Sequence, residues 1–281
     1  MTITHMLDQA HDLRQLATRC QPAETPCCRR RPALVVVAGG KGGVGTTSVA
    51  IGLATAVAKT GRHSVLIDAD SRGDVALLCG VEERYTLADV LAGRRTWTEA
   101  LCTGPTSVKV IVGQRGWQDG RNPTAAATHL IEQLNRQPLP AELAVIDAGN
   151  RLDGPMPHLC GKADALVMVT TGDVASVVGT FASIKAVVQS RDYEETPLHR
   201  HGGGLFLLVN MASSARVAEI VYYRLARTCR RVLGVELQSA GRLRIARRTA
   251  KKSWADTIGL NLQVALADTL RGVSAAGLLS N

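Results

Sequence analysis

The chain has 281 residues, 46% hydrophobic and 20% charged. That is ordinary globular usage, with enough chain to bury a large core without disulfides or metals. No apolar run approaches the roughly 20 residues needed to span a bilayer, and Asp8, His11, Asp12 and Arg14 stand where a secretion signal would carry its apolar centre. The formal charge is +9, and residues 213–252 account for the whole excess, with eleven basic residues against Glu219 and Glu236. Such a face suits nucleic acid, anionic lipid or an acidic protein, and composition does not choose among them.

Residues 1–20 are expected to form an amphipathic helix, with Met6, Ala10, Leu13, Ala17 and Cys20 on one face. Residues 21–32 follow, with three prolines, paired Cys27 and Cys28, and three consecutive arginines at 29–31. That composition predicts an extended linker. The seven cysteines include no CxxC pair and no zinc-ligand spacing, so they are read as reduced thiols.

From residue 33 apolar runs alternate with helical stretches. Strands are predicted at 34–37, 64–67, 108–112, 143–146, 166–169 and 205–209, and helices at 47–59, 124–136, 174–190 and 215–232. The strands are nearly continuous in apolar residues, as expected when helices cover both faces. The fold class is therefore α/β: a doubly wound, mostly parallel sheet over residues 33–258, with ligands bound beyond the carboxyl ends of the strands. A closing helix is expected over 259–281, where Leu262, Leu266, Leu270 and Val273 share a face. It has few charges and no Trp or Phe, so it is read as packed on the core, with membrane targeting the weaker reading.

The segment ALVVVAGGKGGVGTTSVA carries the chemistry: a buried strand, a glycine-rich loop, then a helix. Gly40, Gly45, Thr46 and Thr47 occupy the frame G-x-x-x-x-G-K-[ST], with Thr46 in the lysine's place. Gly42, Gly43, Val44 and Ser48 complete the loop. Glycines let backbone N–H groups close around phosphate oxygens, and the helix adds its positive end. Thr47 stands where a hydroxyl would ligate Mg²⁺. Downstream, Asp68 and Asp70 end the second strand and Asp147 ends the run LAVIDAG. Each would be an ordinary solvated strand end were it not for the loop. Asn210, after FLLV, reads on its own as a turn residue.

Lys41 followed by GGVG resembles the deviant Walker A motif of the MinD/ParA family of P-loop ATPases. The resemblance implies ATP or ADP with Mg²⁺ as cofactor and an ATP-dependent homodimer in which Lys41 reaches the partner subunit's phosphates. It also implies Asp68 and Asp147 near the metal, Asp70 ordering the attacking water, and Asn210 on adenine. Thr46 departs from the family's lysine, and so weak or absent hydrolysis is expected. The segment after Asp70 departs too: Asp74 falls where the family has asparagine, and the loop is one residue shorter.

Within that family, two stretches resemble the FlhG/FleN flagellar-number regulators. Asp8-Gln9-Ala10-His11-Asp12-Leu13-Arg14 is similar to their DQAxxLR helix, and VNMASSARVAEIVYYRLARTCRRVLGVELQSAG to their VNM run and following helix. This implies that Asp8, Gln9, Ala10, Leu13 and Arg14 contact and activate an SRP-type GTPase like FlhF, with flagellar basal-body and C-ring proteins as further partners. The setting would be cytoplasmic, with peripheral attachment at the inner face of the cell membrane as the alternative. Other readings stay open: a ParA-type DNA-binding protein using the 213–252 face, a TadZ/CpaE-like pilus localiser, and a degenerate module that binds no nucleotide.

Overall fold

The computed structural model describes residues 32–114, 117, 120–137, 139–190 and 204–244. All belong to the second of the two units into which the chain divides, residues 31–281. The expected helices over residues 1–20 and 259–281, and nearly all of the 21–32 linker, lie outside the described residues.

β1 (Ala33–Gly39) reads ALVVVAG and is buried at every position, as a strand covered on both faces must be. It sits inside an eight-stranded sheet of order β3-β4-β2-β5-β1-β6-β7-β8. The other strands are β2 (Ser64–Asp68), β3 (Cys102–Thr103), β4 (Lys109–Ile111), β5 (Leu143–Asp147), β6 (Ala165–Thr170), β7 (Leu205–Val209) and β8 (Gln238–Arg242). Every neighbouring pair is parallel except the edge pair β3 and β4. This is the doubly wound sheet expected from the sequence.

Strand alternation splits the core in two. Leu34, Val36 and Ala38 face a layer that includes α5 (Pro123–Arg136), α6 (Met156–Gly161), α7 (Val174–Val188) and α8 (Ala215–Leu233). The short helices α3 (Leu87–Leu91) and α4 (Trp97–Ala100) join that layer. Val35 and Val37 face α1 (Thr46–Lys59) and α2 (Val75–Cys79). Val36, Val37, Ile67 and Ile146 are wholly buried, and each such side chain contributes about 1.5–3 kcal/mol of transfer free energy.

Register places the chemistry. Val37 pairs with Asp147 across β1 and β5, and Asp68 pairs with Asp147 across β2 and β5. β2 and β5 thus end level, with two carboxylates side by side at the sheet's carboxyl edge, while β1 runs on to Gly39 and the turn that follows it. Helix starts divide into two kinds. Asn122, Asp173 and Ser214 each cap their helix with a side chain that accepts a backbone N–H. α1 begins at Gly45 with φ 87° and no side-chain cap, so its first amides are left for another acceptor. Among the described residues no helix is long and apolar enough to cross a membrane, and Cys79, Cys102, Cys160 and Cys229 are free thiols.

Candidate phosphate-binding site

The loop between β1 and α1 is held from two sides, by α7 and by Asn210. Gly40 packs against the backbone of α7 so closely that a Cβ there would collide with the Thr180 amide, while one on Gly179 would collide with the Gly40 carbonyl. Asn210 donates from Nδ2 to the Val44 carbonyl at 2.8 Å and accepts the Met211 amide at 2.9 Å. A Cβ on Gly45 would sit 2.5 Å from Asn210 Nδ2. Asn210 therefore fastens the loop, a role sequence reading did not assign; an adenine contact is a separate proposal. Gly43 takes φ 83° with open space beside it, and Lys41, Gly42 and Gly43 form an exposed crest. Thr46 is buried, its hydroxyl lying where a Cβ on Gly39 would go, and Thr47 and Ser48 are half-buried at the start of α1.

Beneath the loop lie the carboxylates. Asp68 is fully buried and accepts the amides of Asp70 and Val75, each at 3.1 Å. Gly113 makes room for it, since a Cβ there would fall 2.8 Å from Asp68 Cγ. Burial first, then the charge of Asp147, pushes the Asp68 carboxyl up to about 8. Asp147 is also fully buried. Its Oδ1 accepts the Gly149 amide at 3.2 Å, while Oδ2 has no hydrogen-bond partner. Burial pushes Asp147 up to about 6, with the Thr47 hydroxyl and the Gly149 amide drawing it back. A buried, unpartnered carboxylate oxygen is costly unless something cationic meets it. A divalent cation held by Asp68 and Asp147 would offset that penalty and favour both carboxylates in their charged form.

Among the described residues, no three His, Cys, Asp or Glu side chains gather as a metal site. A cation would draw on Thr47, Asp68, Asp147 and the phosphates themselves, which suits Mg²⁺, an ion that keeps waters and few protein ligands. The uncapped α1 amides and the open glycine crest fit a phosphate chain in the same way.

Two further predicted residues flank the loop. Lys41 Nζ lies 3.5 Å from Asp173 Oδ1, both side chains half-exposed. An exposed pair of this kind adds little to stability, so Lys41 can leave it at small cost. Hydrogen bonds from Thr171 and the Ser176 amide hold the Asp173 carboxyl below the usual range. Asp70 is almost wholly buried and pairs with Arg72, Nε to Oδ2 at 3.2 Å. Gly149, at φ 67°, packs on the same carboxylate, with a Cβ there 2.5 Å from Asp70 Cγ.

Sequence reading missed Arg72, Asn150 and Trp117. Trp117 is buried, and its indole N–H donates to the Ala69 carbonyl at 3.0 Å, pinning the turn between Asp68 and Asp70. Asp173, which caps α7 and which sequence reading also passed over, did carry a local signal: an Asp directly before an apolar helical run.

The site thus gathers Gly40 through Ser48, Asp68, Asp70, Asp147 and Asn210 at one sheet edge. Asp8, Gln9, Ala10, Leu13 and Arg14 lie outside the described residues. Of the basic stretch, α8 presents Arg216, Arg224, Arg227, Arg230 and Arg231 to solvent, and residues 245–252 lie outside.

Comparison with known proteins agrees with this geometry. The family model described as the CobQ/CobB/MinD/ParA nucleotide binding domain matches residues 35–251. The chain is 30% identical over 211 residues to the antiactivator FleN of Pseudomonas aeruginosa, covering 74% of this chain and 72% of that protein. It is 24% identical over 211 residues to the flagellum site-determining protein YlxH of Helicobacter pylori, covering 74% and 68%. Cobyrinic acid a,c-diamide synthase from Mycobacterium smegmatis, solved with bound ADP and magnesium, shares the fold. Its TM-score is 0.62 at 16% identity, over 88% of this chain and 96% of that one. The family model spans most of the chain and the mostly parallel sheet agrees with it, so the chain belongs to the CobQ/CobB/MinD/ParA family of nucleotide-binding domains.

Proposed function

We propose that this protein is a nucleotide-dependent regulator of flagellar number or placement, switched by ATP or ADP with Mg²⁺. The observation that carries the reading is the 30% identity with FleN over 211 residues, in a chain whose glycine-rich loop leads into an uncapped helix. The α1 amides would hold the phosphates, and Thr47, Asp68 and Asp147 the metal. Bound there, Mg²⁺ and triphosphate supply a strong local charge that a second subunit can recognise. Asp70 would orient water, and Lys41 would exchange Asp173 for the phosphates bound by a partner subunit. Thr46 offers no cation, so hydrolysis is slow or absent, and the output is assembly state more than turnover.

Dimerisation is then expected to need both ATP and Lys41. Light scattering checks this: wild type should dimerise with a nonhydrolysable ATP analogue and Mg²⁺, while Lys41→Ala should stay monomeric with its fold intact. A nucleotide-independent dimer that Lys41→Ala leaves untouched would favour the degenerate-module reading.

Asp8 to Arg14 would give the switch its partner, an SRP-type GTPase, with flagellar basal-body proteins downstream. Gln9 can both donate and accept, so it could orient water on a GTP γ-phosphate, while Asp8, Arg14 and Leu13 would hold the segment on its partner. A peptide of residues 1–20 is expected to stimulate such a GTPase on its own. Gln9→Ala should lower stimulation with little loss of binding, because orienting water matters chiefly in the transition state. A peptide that binds without changing the GTPase rate would reduce these residues to a docking helix. A second reading rests on the exposed arginines of α8: DNA binding that requires ATP and falls steeply with salt would favour a partition-type role.

A further inference from the structure

Position 46 lacks the cation that a phosphate loop normally supplies from within its own chain, and the structure sets another beside it. Arg72 lies in the turn after β2, half-exposed, and is gripped along one edge. Its Nε bonds Asp70 Oδ2 at 3.2 Å, and its Nη2 donates to Asn150 Oδ1 at 3.0 Å. Its own amide also donates to Asp70 Oδ1, at 3.2 Å. The remaining nitrogen, Nη1, faces the loop: a methyl added at Gly42 would lie 3.8 Å from Arg72 Nη1 and 3.8 Å from Asn150 Nδ2. Two donors, one cationic, therefore converge on the crest of the glycine loop from the side of Asp70.

We infer that Arg72, oriented by Asp70 and Asn150, is the in-cis cation that binds the terminal phosphate of a nucleoside triphosphate, taking over the binding contact, though not the catalytic role, of the lysine absent at position 46. The inference rests on the nucleotide-binding reading above. A guanidinium suits the place because its planar fork can keep Asp70 and Asn150 on one edge while the other meets a phosphate oxygen. It approaches the crest from the side of Asp70, so it is assigned to the γ-phosphate and should matter less for a diphosphate. It also accounts for a loop that keeps the family's glycines while dispensing with the family's lysine.

The test is titration of ATPγS and of ADP, each with Mg²⁺, into the full-length protein and its variants. Arg72→Gln keeps a donor for Asp70 but removes the charge. It should weaken ATPγS by roughly 10- to 100-fold, the range of one charge-assisted contact, and leave ADP within about threefold. Arg72→Lys should retain most of the preference for ATPγS. Thr46→Lys should restore ATPγS affinity in the Arg72→Gln background while adding little to wild type. Thermal melts of the nucleotide-free variants check that the fold is kept. Equal losses for ATPγS and ADP, or none for either, would overturn the assignment and reduce Arg72 to a brace for the Asp70 turn. If wild type binds neither nucleotide, the nucleotide reading falls and this inference with it. If wild type binds both and Arg72→Gln leaves their ratio unchanged, only this inference falls.

Discussion

Asp147→Asn is expected to cut Mg²⁺-dependent nucleotide affinity by about 10- to 100-fold, the usual cost of disturbing a metal's supporting ligands, while making the nucleotide-free protein more stable. The two effects have one cause. Asp147 and Asp68 are buried beside each other, paired in register, and Asp147 Oδ2 has no hydrogen-bond partner. Their carboxyls are pushed to about 6 and about 8, far above the unfolded value near 3.8. A group whose native pKa lies above its unfolded one holds more protons in the native state, so stability falls as pH rises between the two. The window here runs from about pH 4 to about pH 8. Removing the Asp147 charge ends its own share of that penalty and eases Asp68. Urea unfolding at pH 8 should show Asp147→Asn ahead of wild type by ~1–3 kcal/mol, since each pH unit separating a native from an unfolded pKa is worth about 1.4 kcal/mol. The gap should close towards pH 4. A variant less stable than wild type at pH 8 would mean that the carboxylates are compensated within the protein and need no cation.

Gly179→Ala is expected to destabilise the protein by about 1–3 kcal/mol and to loosen nucleotide binding at the same time. In an ordinary helix interior the same change gains up to ~1 kcal/mol from propensity. Here the sign reverses because the new methyl would overlap the Gly40 carbonyl, which is backbone and has no rotamer to escape through. α7 and the phosphate loop must then separate. Gly40→Ala attacks the same contact from the other side, its Cβ falling on Thr180. The double variant should therefore cost less than the sum of the singles. Denaturant midpoints for the three variants check this. A stabilised Gly179→Ala would show that the helix and loop are not in that contact.

Where the fold was legible, hydrophobic continuity made it so. The run at 143–146 became β5 and that at 205–209 became β7 because strands covered on both faces show no polar side. β8 reads QSAGR and was not legible, having no apolar run. It is a strand because it pairs with β7, through an irregular register near Leu207 and Val209. The short helices α3 and α4 escaped a period that needs several turns to show, although Thr86 with Asp89 and Thr96 with Glu99 form capping boxes. The site divides in the same way. Asp68, Asp147 and the glycine loop announce themselves by ending apolar strands. Arg72 meets Asn150 across 78 positions and Trp117 meets Ala69 across 48, and nothing local in either sequence neighbourhood marks the contact. Asn210 stands out at a strand end, but its fastening of Val44, 166 positions away, is a tertiary fact.

If the β1–α1 loop binds a nucleotide, isothermal titration of ATPγS with Mg²⁺ into the 281-residue chain will register it. Saturable binding of one nucleotide per chain, well below millimolar, weakened when Mg²⁺ is withheld and when Asp147 is replaced by Asn, is the predicted result. No heat at millimolar nucleotide, from protein shown to be folded, would contradict it.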